Sequence, residues 1–155
     1  MKLTKTQINQ LKKLMKASAQ KGNLANGALL LDKNNKTIGM AESWVVSSCN
    51  ATAHSEHLLV ELACKLQNSH FTRGFKIVSV VEPCLMCLSA ASQAGIEELA
   101  YIIPAQRFIK EIPWMSDVVG VDKHELCKRF QFKILFNKFE CENVFRYFEM
   151  FMRKI

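Results

Sequence analysis

No stretch of this 155-residue chain approaches the roughly 18 consecutive apolar residues of a membrane span. The opening residues, MKLTKTQINQLKKLMKASAQ, lack the apolar core of a signal peptide and form a basic amphipathic pattern instead. These two absences predict a cytoplasmic protein with no membrane partner. Internal repeats, low-complexity tracts and Pro- or Ser-rich linkers are missing too. One domain over residues 1–155 is therefore the simplest organisation, and the length suffices to bury a core. The six cysteines have no secretion signal to go with them, so free thiols plus a metal site are expected rather than disulfides. A second Cys-x-x-Cys is also absent, which weakens any zinc-ribbon reading.

Acidic residues are nearly missing from the first 37 positions. Lys2, Lys5, Lys12, Lys13, Lys16, Lys21, Lys33 and Lys36 face only Asp32 there, a balance of 8 − 1 = +7 that accounts for the whole net charge of +7. Such a face could attract nucleic acid. No aromatic residue is interleaved with these lysines, so a solvated helix face is the preferred expectation.

The chain alternates between helical and strand patterns. Residues 4–20 place Ile8, Leu11, Met15 and Ala19 on one helix face. GALLLD, KNNK and TIGMAES predict a β-hairpin. Residues 54–67 predict a helix with Leu58, Leu59, Leu62 and Leu66 toward a core, capped by Thr52. FKIVSVV is a buried strand ending at Glu82, and Pro83 is expected to start a helix that Gly95 stops. ELAYII is another buried strand. IPWMSDVVG, with Pro113 and Gly120, predicts a loop over the surface or site. A short helix (DKHELCKRF), a strand (FQFKILF) and a C-terminal helix with Val144, Phe148 and Phe151 along one side complete the chain. The order predicts an α/β domain with helices packed on a central sheet.

Two short stretches carry chemistry. In EPCLMC, Cys84 and Cys87 are three apart, so on a helix they share a face and can reach one ion. Their place in a first turn favours the thiolate, the form that binds zinc. A lone Cys-x-x-Cys also fits a redox pair. His54 and Glu56 stand at the other expected helix start, where neither has a packing role. If His54 joins the two cysteines, the set has three protein ligands and an open position, the arrangement of a catalytic zinc. Glu56 is then placed to exchange protons with water at the metal.

HSE at 54–56, followed after 26 residues by PCLMC at 83–87, resembles the zinc-dependent cytidine/deoxycytidylate deaminase superfamily. NGALLL at 26–31 and TAHSE at 52–56 are similar to the branch holding tRNA adenosine deaminases and bacterial guanine deaminases. The resemblance implies a three-layer α/β/α fold with a central five-stranded mixed sheet. It implies one Zn2+ per chain on His54, Cys84 and Cys87, with Glu56 moving protons to a ring nitrogen and to the departing ammonia. It places Ser43, Ser55 and Pro83 against the substrate, and it implies a homodimer. Many relatives carry Asn eleven residues before the ligand His. Here that residue is Ser43, whose hydroxyl reaches less far. Ser55 stands where Ala is usual and is expected to contribute mainly its backbone N–H.

The expected activity is hydrolytic deamination of a nucleobase, nucleoside or nucleotide, with a guanine- or cytosine-like small molecule favoured. A tRNA-specific adenosine deaminase is the alternative, followed by a non-catalytic zinc-binding partner subunit. The remaining candidates have structural readings. His57, His70 and His124 are surface residues, and Cys49, Cys64, Cys127 and Cys141 are free thiols. Trp44 and Trp114 serve core or interface packing. Phe145 or Phe148 could close the pocket.

Overall fold

A computed structural model of the chain describes residues 1–109 and 121–152. Helix α1 (Lys5–Gln20) begins at a capping box. The Thr4 side chain accepts from the Gln7 N–H, and the Gln7 side chain accepts from the Thr4 N–H. Strands β1 (Gly27–Leu31) and β2 (Thr37–Glu42) form the expected hairpin, followed by α2 (Ser55–Gln67), β3 (Lys76–Val81), α3 (Leu85–Gln93) and β4 (Glu98–Ile103). Helix α4 (Lys123–Arg129), β5 (Lys133–Phe136) and α5 (Cys141–Met152) follow.

The five strands make one mixed sheet in the order β2-β1-β3-β4-β5. β1 runs antiparallel to both β2 and β3, while β3, β4 and β5 are parallel. Alternation along each strand divides the core in two. Leu29, Leu31, Val78, Val80 and Ile102 pack with Leu11 and Met15 of α1 and Val144 and Phe148 of α5. Ala28, Leu30, Ile77 and Leu99 pack with Leu59, Val60 and Ala63 of α2, Leu88 and Ala91 of α3, and Cys127 of α4. Helices thus cover both faces of the sheet in three layers, as expected. No described helix is long and apolar enough to cross a membrane.

The strand directions gather one edge of the molecule. The start of β1 and the ends of β2, β3 and β4 lie together there, because the antiparallel β1 pairs Gly27 with Glu42 and Ala28 with Ser79. Helices α2 and α3 both begin at this edge. Gly27 lets α1 approach closely, since a Cβ there would sit 2.4 Å from the Leu14 Cβ. Gly95, with φ +76°, turns the chain out of α3 against the Thr72 carbonyl.

Several expectations need correction. The buried face of α2 is Ser55, Glu56, Leu59, Val60 and Ala63, and Leu66 is 54% exposed. The helix is rotated so that its first-turn polar residues, and not its last leucine, point inward. Thr52 does not cap α2. His54 is the N-cap residue, and the Thr52 hydroxyl donates to Asn50. Pro83 does not start α3, which begins at Leu85 after Cys84 as N-cap. The last strand is shorter than FQFKILF, because Gln131 adopts a left-handed backbone after α4. Trp44 is not a core residue. It is 41% exposed, with the Lys21 ammonium 3.9 Å from its ring centroid. Phe148 is wholly buried between α5, α1 and the sheet, stacked on Phe145. Pro113, Trp114 and Gly120 lie outside the described residues.

The α4 start is tied to the sheet edge by an ion pair. The Lys123 side chain is 1% exposed, and its Nζ lies 2.9 Å from Glu82 Oε1. The other carboxylate oxygen accepts the Ala105 N–H at 2.9 Å. Removing one member of such a pair leaves the other charge without its partner. Lys123→Ala should therefore lower unfolding stability by about 3 kcal/mol, read from urea titrations. An unchanged midpoint would show that the pair contributes nothing net.

Candidate active site

The two helix starts face each other across the sheet edge. His54 is the N-cap residue of α2 and Cys84 that of α3, yet neither side chain caps its own helix. Both turn inward instead. The Cys84 Sγ lies 3.5 Å from His54 Nδ1, the Cys87 Sγ lies 3.6 Å from the same nitrogen, and the two sulfurs are 3.6 Å apart. Among the described residues, this is the cluster of His, Cys or acidic groups that could hold a metal ion. A tetrahedral ion with ordinary Zn–S and Zn–N bonds needs edges of about 3.8 Å between sulfurs and about 3.6 Å from sulfur to nitrogen. The triangle matches those edges, so the residues fit zinc.

The donor chemistry fits as well. Hydrogen bonding from Cys87, assisted by His54, lowers the Cys84 thiol to about 4 against the opposing effect of burial. The same contact raises Cys87, together with burial and the Glu56 charge. A bound dication would hold both sulfurs as thiolates, as ligation requires. Two helix N-termini also direct their positive ends at the cluster.

Glu56 belongs to the same assembly, and the expectation that it lacks a packing role is wrong. It is 1% exposed and ranks among the largest fully buried side chains. A carboxylate at that depth requires hydrogen-bond donors. Ser79 Oγ donates to Oε1 at 2.8 Å, and Ser55 Oγ donates to Oε2 at 2.9 Å. Asn26 Nδ2 adds a longer contact to Oε2 at 3.4 Å. Ser55 thus does more than the expected backbone contribution, since its buried hydroxyl holds the carboxylate.

The other expected residues are placed around this group. Ser43 is 5% exposed at the end of β2, its N–H donating to the Asn26 carbonyl and its carbonyl accepting from Ser18 Oγ. Pro83 is buried beside Cys84. His57 turns outward to Glu61. His124 is exposed, as expected, but its ring pairs with the Tyr101 hydroxyl at 2.9 Å. The Tyr101 hydroxyl titrates above its usual range, because burial disfavours the phenolate. Cys127 and Cys141 are buried, Cys64 is half-buried and Cys49 is exposed.

Three residues escaped the sequence reading. Asn26 and Ser79 bond within the Glu56 network. Asn23 accepts the N–H groups of Val46 and Ser47 and so holds the loop that runs from Ser43 toward His54. The available sign was a polar residue set against apolar strand sequence: Ser79 within KIVSVV, and Asn26 just before GALLL.

A tRNA-specific adenosine deaminase from Aquifex aeolicus is 30% identical over 86 residues, 56% of this chain and 56% of that protein. One from Rickettsia typhi is 32% identical over 68 residues, 44% of this chain and 46% of that protein. The chain thus aligns with about half the length of these curated relatives. Among solved structures, guanine deaminase from Nitrosomonas europaea superposes with a TM-score of 0.78 over 99% of this chain and 86% of its own, at 14% identity. A tRNA:A34 deaminase superposes with a TM-score of 0.58 over 64% of this chain and 72% of its own, at 24% identity. At these identities the superpositions establish the fold. The model of the cytidine and deoxycytidylate deaminase zinc-binding region matches residues 1–103, and the chain belongs to that family.

Proposed function

We propose that the chain is a single zinc-dependent deaminase domain that replaces the exocyclic amino group of a nucleobase-type substrate with oxygen from water, releasing ammonia. The observation that carries this reading is the buried Glu56 carboxylate, two residues after His54 and near enough for its charge to act on Cys87. A purely structural metal site has no use for a buried acid at its side.

In this reading His54 Nδ1 and the two cysteine sulfurs hold the ion. Bound there, zinc would supply the Lewis acidity that brings the pKa of water from 15.7 toward about 7. Glu56 takes one proton from the attacking water and delivers it to a ring nitrogen, which makes the adjacent amino-bearing carbon electrophilic. It then takes that water's second proton, from the new hydroxyl on the carbon, and delivers it to the departing amine. By family resemblance Ser43 and Pro83 would contact the base, with the Ser43 hydroxyl reaching less far than an amide would.

A free base, nucleoside or nucleotide is the preferred substrate class, with guanine- or cytosine-like molecules first. One observation supports it. The lysines of α1 sit in the layer opposite α2 and α3, and Lys2, Lys5, Lys13 and Lys16 point to solvent. The second reading, a tRNA adenosine deaminase, is favoured by the curated relatives. A homodimer belongs to this proposal by family resemblance, and a cytoplasmic location by the sequence expectation.

Three outcomes test the reading. The purified protein should hold one zinc per chain by elemental analysis, and Cys87→Ser or His54→Ala should lose it. Zinc retained in both variants would overturn the ligand assignment. Ammonia release should be measured on free bases, nucleosides, nucleotides and tRNA. Glu56→Ala should keep the metal and lose about 10²–10⁴-fold in turnover. A fully active variant would remove Glu56 from the chemistry. Raising salt from about 50 to about 200 mM should leave free-base turnover nearly unchanged. A tRNA substrate would instead weaken at least about tenfold over that range, which would promote the second reading.

A further inference from the structure

The Glu56 side chain ends in a carboxylate whose last torsion is intrinsically broad. Packing alone does not fix the plane of such a group, so hydrogen bonds must. Ser79 is the anomaly that supplies one. It sits in the middle of β3 with Ile77, Val78, Val80 and Val81 around it, is fully buried, and faces the α2 side of the sheet. Its hydroxyl reaches across to Glu56 Oε1 at 2.8 Å, the shortest contact the carboxylate makes among those described.

The neighbouring amide sets the direction of the network. Asn26 Oδ1 accepts the backbone N–H of Gly27 at 2.9 Å and that of Val81 at 3.3 Å. Those two donors fix the oxygen toward the backbone, so the amide nitrogen must point to Ser55 Oγ at 3.2 Å and to Glu56 Oε2 at 3.4 Å. Ser55, accepting from Asn26, is left to donate to Oε2. Each carboxylate oxygen is thereby held from a different strand or helix.

We propose that Ser79 is a positioning residue for the deamination step, fixing the plane of the Glu56 carboxylate with Asn26 and Ser55 as its counterpart on the other oxygen. This rests on the reading of Glu56 as the proton-transferring group. Ser79 touches neither substrate nor metal in this role. Its effect is to keep one lone pair of Glu56 aimed at the position where a proton is exchanged.

The test uses the zinc-loaded full chain. Crystal structures of the wild-type and Ser79→Ala proteins read the carboxylate directly. One Glu56 orientation is expected in the wild type and a rotated or split one in the variant. With the substrate turned over fastest in the assays above, kcat should fall about 10–100-fold, as for other partners that orient a reacting group. KM should stay within about twofold, because ground-state binding is untouched. Zinc should remain at one per chain, and Ser79→Thr, which keeps the hydroxyl, should recover most of kcat. Wild-type kcat, or an unchanged single Glu56 orientation in Ser79→Ala, overturns the proposal. So does a loss of zinc or melting temperature that accounts for the fall in kcat, or a Ser79→Thr variant as slow as Ser79→Ala. Full turnover by Glu56→Gln overturns the underlying reading of Glu56 instead, and the crystal comparison keeps the two failures apart.

Discussion

A carboxylate buried to 1% exposure beside two sulfurs is the constraint on which this architecture turns. Burial of an ionised group without donors costs several kcal/mol. The chain answers with donors from three separated segments: Asn26 before β1, Ser55 at the start of α2, and Ser79 within β3. Those segments come together only if the sheet has its observed order, because the antiparallel β1 must lie between β2 and β3. A different strand order would leave the acid unsatisfied. The polar network and the topology therefore enforce each other.

The metal cluster depends on the same edge in a different way. An N-cap side chain ordinarily accepts hydrogen bonds from its own first turn. His54 and Cys84 give up that role, and each helix forgoes a cap worth about 1 kcal/mol. In exchange, an imidazole and two sulfurs meet within 3.6 Å. The sheet supplies the rigidity. β3 and β4 end side by side, and the Lys123–Glu82 pair and the Ala105 N–H brace the residue just before Pro83. Local stability is thus traded for a preorganised site at helix starts whose dipoles favour the thiolate form of the cysteines.

Legibility followed the range of the interactions. The helices and strands of the first hundred residues could be read from periodicity, and the metal cluster from a spacing of three residues plus one histidine. Each of those signs is local. The rotation of α2 was not legible, because five leucine and valine positions leave the helix two plausible faces. The buried Glu56, not Leu66, decided which one turned inward. Trp44 could have belonged to the core by residue type, and the structure leaves it exposed with Lys21 over its ring. Ser55 looked like a neutral exchange for alanine, because its partner Asn26 lies 29 residues away.

The sequence by itself determined the chemistry available: an imidazole, two thiols and a carboxylate at two helix starts, in an alternating α/β chain. Residue type and short spacing carry that information without any knowledge of the rest of the fold. The tertiary structure decided how that chemistry is held. Asn26 and Ser79 are 53 residues apart, and Asn26 and Val81 are 55 apart. No periodicity links positions so distant. They meet because strand pairing brings β1 and β3 into antiparallel register, and a buried carboxylate makes that meeting matter.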